Sequence, residues 1–174
     1  RPTGFCFGVE RAIGLAKSGK KQFGRVSTLG ELVHNPLVLE ELERAGIRSV
    51  RDARQVRDGA LVIRAHGCPP ETLAECRRLQ IAVVDATCPY VRKVQNVARR
   101  LKEQGYTVVV VGERNHPEVK SILGHCEGRG RVYSPRMRLS GGKVGVVAQT
   151  TMSRERLREA VANLSRFRYT ELRI

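Results

Sequence analysis

Three histidines, two cysteines and a glutamate recur where short apolar runs give way to Pro-marked turns. Arg25–Leu29 leads into Gly30-Glu31-Leu32-Val33-His34-Asn35-Pro36, and Ala60–Ala65 into His66-Gly67-Cys68-Pro69-Pro70. Ile81–Asp85 leads into Ala86-Thr87-Cys88-Pro89, and Thr107–Val111 into Gly112-Glu113-Arg114-Asn115-His116-Pro117-Glu118. Proline is tolerated in a first helical turn, so each His or Cys stands at the mouth of a helix. Helix N-termini favour anions and thiolates. Imidazoles placed there can donate charge-assisted hydrogen bonds to phosphate, and Glu118 can supply protons. Gln149-Thr150-Thr151, just past Lys143–Ala148, adds amide and hydroxyl groups. Cys6, in Gly4-Phe5-Cys6-Phe7-Gly8, and Cys88 are far apart in sequence and are candidates for one metal centre. One such turn means little. Together they imply a shared polar pocket, a phosphate site beside a thiolate-bound metal or cluster.

Each cysteine also has a plainer reading. Cys6, between two phenylalanines, fits a small buried hydrophobe, although its flanking glycines favour a ligand. Cys88 stands at a strand-to-helix junction, whereas a core thiol would lie inside the strand. Cys76 falls mid-helix and reads as packing. Cys68 faces the pocket or packs, and His125 and Cys126 read as surface or capping residues at a helix end. Five cysteines, an odd number without compact spacing, argue against a disulfide scaffold, and no tandem C-x-x-C pairs indicate a zinc ribbon.

Positioning these residues needs alternating strands and helices. Strands are expected at Arg25–Leu29, Ala60–Ala65, Ile81–Asp85, Thr107–Val111 and Lys143–Ala148, with a weaker one at Arg131–Tyr133. Helical patterns cover Glu10–Lys17, Pro36–Ala45, Pro89–Gln104 and Ser153–Leu164, the last with Ser153 as N-cap. The pattern specifies an α/β fold with parallel sheets, in two lobes covering 1–88 and 89–174. No run approaches the roughly 20 apolar residues that cross a bilayer, and no secretory signal opens the chain, so a cytoplasmic protein is expected. The 174 residues carry 32 Lys+Arg against 17 Asp+Glu, a net charge of +15 made mostly by 25 arginines. These are scattered and lack interleaved aromatics, so a solvated basic surface is favoured over a nucleic-acid footprint.

Taken in order, Gly4-Phe5-Cys6-Phe7-Gly8-Val9, Val33-His34-Asn35-Pro36, Ala65-His66-Gly67, Asp85-Ala86-Thr87-Cys88-Pro89, His116-Pro117-Glu118 and Gln149-Thr150-Thr151 resemble the 4-hydroxy-3-methylbut-2-enyl diphosphate reductase family. Its members perform the last step of the methylerythritol phosphate route to isoprenoid precursors. The resemblance implies a trefoil of α/β lobes, each a small, mainly parallel sheet flanked by helices, around a [4Fe–4S] cluster held by three cysteines. Cys6 and Cys88 match two of those ligands; the third is expected beyond residue 174, with the third lobe, and the family's first strand is expected before Gly4. His34 and His66 match diphosphate-binding residues, and His116 a further phosphate or active-site contact. Glu118 matches the proton source, with Thr150 positioning the substrate hydroxyl and relaying protons. Gln149 and Thr151 would line the pocket, and Val91 would pack on the hydrocarbon part of the substrate. The implied reaction removes the hydroxyl of the allylic diphosphate as water, with two electrons and a proton, and a second proton on the resulting allyl intermediate gives isopentenyl or dimethylallyl diphosphate. Ferredoxin or flavodoxin is the implied electron donor, which the basic surface would steer. Two rival readings are a basic nucleic-acid-binding module and a zinc hydrolase using Cys6, Cys88 and the histidines.

Overall fold

A computed structural model describes residues 4–33, 35–139 and 141–174; His34 lies outside the described residues. The chain divides into two compact units, Arg1–Pro89 and Tyr90–Ile174. In the first, helix α1 (Phe7–Phe23) precedes β1 (Val26–Leu29), α2 (Pro36–Arg44), β2 (Ile47–Val50), a 3-10 turn at Ala53–Gln55, β3 (Ala60–Ile63), α3 (Pro70–Arg78) and β4 (Ala82–Asp85). Helix α4 (Pro89–Glu103) then leads into β5 (Thr107–Val111), α5 (Pro117–Gly124), β6 (Gly130–Val132), β7 (Lys143–Ala148), α6 (Arg154–Leu164) and β8 (Glu171–Arg173).

Each unit is a four-stranded sheet with every pairing parallel, ordered β2-β1-β3-β4 and β6-β5-β7-β8. The central strands are apolar on both faces because both faces are covered. In β3, Ala60 and Val62 pack with Ala12 and Ala16 of α1 and Val38 and Leu42 of α2. Leu61 and Ile63 point the other way, into a cluster with Cys68 and Cys76. The second unit repeats the logic. Val108 and Val110 pack with Ala98 and Leu101 of α4 and Val119 and Ile122 of α5. Val109 and Val111 pack with Ala160 and Leu164 of α6.

The expected α/β architecture is found, with several elements differing in their bounds; β3, for one, ends at Ile63 and not at Ala65. Helix α1 begins at Phe7 and runs to Phe23, longer than Glu10–Lys17 at both ends. Its buried stripe, Gly8, Ala12, Ala16 and Gly19, is made of small residues at helical spacing. An added Cβ on Gly19 would lie 3.0 Å from Val84, which shows how near the helix lies to its sheet. Strands β2 and β8 were not anticipated: Ile-Arg-Ser-Val and Glu-Leu-Arg carry too few apolar residues to read as buried strands, and both lie at sheet edges. The strand near residue 131 spans Gly130–Val132 rather than Arg131–Tyr133. Ser153 caps α6 as expected, its side chain accepting a hydrogen bond from the Arg156 N–H.

Candidate active site

In both units the parallel ladder runs past the last strand residue and reaches a residue with chemical capacity. In the first unit the Ala86 N–H donates to the Ile63 carbonyl, and the Cys88 N–H to the Ala65 carbonyl at 2.9 Å. Cys88 is thus held beside the segment that carries His66. Its neighbour Thr87 is tied twice more. The Thr87 N–H donates to the Asp85 carboxylate at 2.9 Å, and its carbonyl accepts from the Arg11 guanidinium of α1 at 3.2 Å. His66 sits in a turn closed by the Gly67 N–H donating to the Arg64 carbonyl at 2.9 Å. Gly67 takes a φ of +73°, which a residue without Cβ adopts at no steric cost.

Cys6 is the N-cap of α1, its carbonyl accepting from the Val9 and Glu10 N–H groups. It is exposed, so the reading of Cys6 as a small buried hydrophobe is set aside. Gly8 brings the two cysteines together. A Cβ built on it would lie 2.9 Å from Cys88 Sγ and 3.9 Å from Cys6 Sγ. Both thiols therefore converge on one point beside the first turn of α1. Among the described residues, no three or more His, Cys, Asp or Glu side chains gather as a metal site. The two thiols are a partial ligand set.

In the second unit the Gln149 N–H donates to the Val111 carbonyl at 2.9 Å, continuing the β5–β7 ladder. Thr150 and Glu118 meet there although 32 residues separate them. Glu118 Oε1 accepts the Thr150 N–H at 2.7 Å, and Oε2 accepts the Thr150 hydroxyl at 2.9 Å. Glu118 is 1% exposed, and a buried carboxylate needs such partners. Its place in the first turn of α5 adds the dipole of that helix. His116 caps the same helix, Nδ1 accepting the Glu118 N–H at 3.2 Å. That nitrogen uses its lone pair on the cap, which leaves Nε2 as the ring's hydrogen-bond donor.

Gln149 does more than the sequence indicated. It is buried, and its side-chain carbonyl accepts the Glu113 N–H at 3.0 Å while its amide donates to Thr151 Oγ1 at 2.8 Å. It ties the loop ahead of His116 to the loop carrying Thr150. The adjacency of β5 and β7, which no local pattern states, brings Glu113 within its reach. Val91, on the first turn of α4, is buried. Cys126 requires a correction: it is buried in the core of the second unit, its Sγ donating to the Ile122 carbonyl at 3.3 Å, and is neither surface nor cap. Burial pushes its thiol up to about 11. Cys76 is core packing as expected, with its thiol also raised by burial, and Cys68 lies in the same cluster.

The sequence profile of the LytB protein family matches residues 1–174. The chain belongs to the LytB family. It is 43% identical over 167 residues to the 4-hydroxy-3-methylbut-2-enyl diphosphate reductase of Geobacter sulfurreducens, covering 91% of this chain and 58% of that protein. The reductase of the same name from Aquifex aeolicus is 40% identical over 171 residues, covering 94% and 59%. A solved (E)-4-hydroxy-3-methyl-but-2-enyl diphosphate reductase superposes with a TM-score of 0.82 at 37% identity, covering 98% of this chain and 63% of that one. The Plasmodium falciparum E-1-hydroxy-2-methyl-but-2-enyl-4-diphosphate reductase superposes with a TM-score of 0.87 at 28% identity, covering 95% and 55%. This LytB chain thus spans about three fifths of the length of the curated relatives it matches.

Proposed function

We propose that this LytB chain is the part of a reductase that removes the hydroxyl of 4-hydroxy-3-methylbut-2-enyl diphosphate, giving isopentenyl and dimethylallyl diphosphate. The observation that carries this reading is the likeness to reductases of that name along nearly the whole chain at about 40% identity. The geometry within each unit supports it at Cys6 and Cys88 and at Glu118 and Thr150.

Cys6 and Cys88 are proposed ligands of a [4Fe–4S] cluster. The convergence of their thiols at Gly8 fits two ligands of one group, and the third thiolate is assigned to the portion of the longer relatives outside the match. When bound, such a cluster supplies single electrons and a Lewis-acidic iron. The other groups bind and move protons. His34, His66 and His116 are proposed to hold the diphosphate, His116 through Nε2. Thr150 gives its hydroxyl proton to Glu118 Oε2, so its oxygen remains free to accept from the substrate hydroxyl. With Glu118 protonated the two hydrogen bonds reverse, Oε2–H donating to Thr150 and the Thr150 hydroxyl to the departing oxygen, which leaves as water as the C–O bond takes up two electrons; a second proton on carbon completes the product. Thr151 and Val91 are proposed to line the pocket, Val91 against hydrocarbon. Gln149 acts by holding the two loops together. The electron donor is proposed to be an acidic ferredoxin or flavodoxin, and the setting cytoplasmic.

Anaerobic reconstitution of the complete reductase tests the proposal. The expected result is a brown protein that reduces the allylic diphosphate. Glu118→Gln should keep the cluster spectrum and lose roughly 10²-fold or more in kcat, the usual range for a general acid. Stoichiometric zinc in the anaerobically purified protein, or full activity in Glu118→Gln, would overturn the cluster or the proton route respectively.

A further inference from the structure

Arg64 follows the last residue of β3 and precedes Ala65-His66-Gly67. Its carbonyl closes the turn that presents His66. Its side chain runs across the sheet end to β1, where a Cβ built on Gly30 would lie 2.9 Å from Nη1 and 3.4 Å from Cζ. Gly30 is fixed in place. It has a φ of +66°, its N–H donates to the Val50 carbonyl at 2.7 Å, and its own carbonyl accepts the Thr28 hydroxyl at 2.9 Å. The missing side chain at residue 30 is the space the guanidinium occupies.

Arg64 is only partly exposed, and its Nε is buried with no hydrogen-bond partner among the described residues. Burial depresses its basicity, against opposing fields from Cys68 and Glu31. A guanidinium kept for packing alone would have its donors satisfied, because a buried donor without a partner loses its bond to water and gains none. This one sits in the loop layer beyond the carboxyl ends of a parallel sheet, where α/β folds collect anions. A guanidinium is the side chain whose planar fork matches phosphate oxygens in pairs.

We propose that Arg64 is a diphosphate-binding residue, its guanidinium held over Gly30 to meet the phosphate oxygens beside His66. This rests on the reading of the chain as part of a diphosphate-consuming reductase and adds to it a cation outside the matched motifs. Nothing in the Ala65-His66-Gly67 motif requires an arginine before it; Gly30, 34 residues earlier, makes the room.

The test is a titration of the 174-residue chain with inorganic diphosphate, followed by nuclear magnetic resonance. The expected result is that amide signals of Gly30, His66 and Gly67 shift together with the Arg64 Nε–H signal. Arg64→Met should bind diphosphate roughly ten-fold more weakly, the effect of one lost charge-assisted contact. Arg64→Lys, a point charge without the fork, should recover part of that loss. In the complete enzyme the same variants should raise KM more than they lower kcat. An Arg64→Met chain that binds as tightly as the unaltered one, while His66→Ala binds weakly, overturns the role of Arg64 and leaves the diphosphate reading standing. An Arg64 Nε–H signal that stays still while the Gly67 amide moves to saturation has the same meaning and needs no variant. A chain in which none of these signals responds to diphosphate overturns both.

Discussion

Gly8 shows how one missing methylene can decide a site. Alanine there would gain about 1 kcal/mol of helix propensity. Its Cβ would also press on Cys88 Sγ at 2.9 Å, and a thiol at the end of a short side chain can turn away. Gly8→Ala is therefore expected to change the melting temperature by only a few degrees. It should lower iron and sulfide bound per chain after reconstitution, since the Cys88 thiol is driven off its direction. Equal iron content in both proteins would show that the gap at Gly8 is incidental. Cys126 behaves oppositely, as a thiol kept out of chemistry. Its folded value of about 11 exceeds the ordinary 9.0. The unfolded chain therefore releases this proton first, and the contribution is fully present below pH 9 and lost as pH rises to about 11. Denaturant titrations across that interval should show a fall in stability that Cys126→Ala reduces, by on the order of 2 kcal/mol.

At the scale of elements, helix N-termini organise the molecule. Cys6 caps α1, Cys88 immediately precedes α4, and His116 caps α5. The sequence made the last two junctions legible because a proline follows each, Pro89 and Pro117, and short valine-rich runs mark the strands before them. It was less informative about α1, whose Gly-Val-Glu start lacks any Ser, Thr, Asp or Asn cap and whose buried stripe is Gly and Ala instead of large apolar residues. The edge strands β2 and β8 were hidden by their charged residues. Arg64 and the Gln149 bridge were invisible for another reason: their meaning lies in partners brought near only by strand order. Ser153, by contrast, reads directly as a cap. Ser153→Ala should cost about 1 kcal/mol in thermal or denaturant unfolding, the usual value of an N-cap, and the loss of no measurable stability would assign the end of α6 to other contacts.

For the whole molecule, two similarly built sheets each carry part of the proposed site: Cys6, Cys88 and His66 in the first, the Glu118–Thr150 pair in the second. No described helix is long and apolar enough to cross a membrane. The basic residues are spread over helices, strands and loops, and some stand in exposed pairs such as Arg44–Glu40 and Arg78–Glu75 that add little stability each. Long-range attraction of an acidic partner is the larger effect of such a surface. The continuation of the ladders past the strand ends also has a consequence in time. Cys88 and Gln149 lie outside the strands, yet their N–H groups are bonded as sheet amides are. In deuterium oxide they should exchange with the slow sheet protons of Val62 and Val110, not with the fast loop protons around Arg114. Rapid exchange at both would mean that these positions open independently of the sheets. Slow exchange would mean that Cys88 and the loop carrying Thr150 stay in place for as long as the sheets themselves, with no separate ordering step.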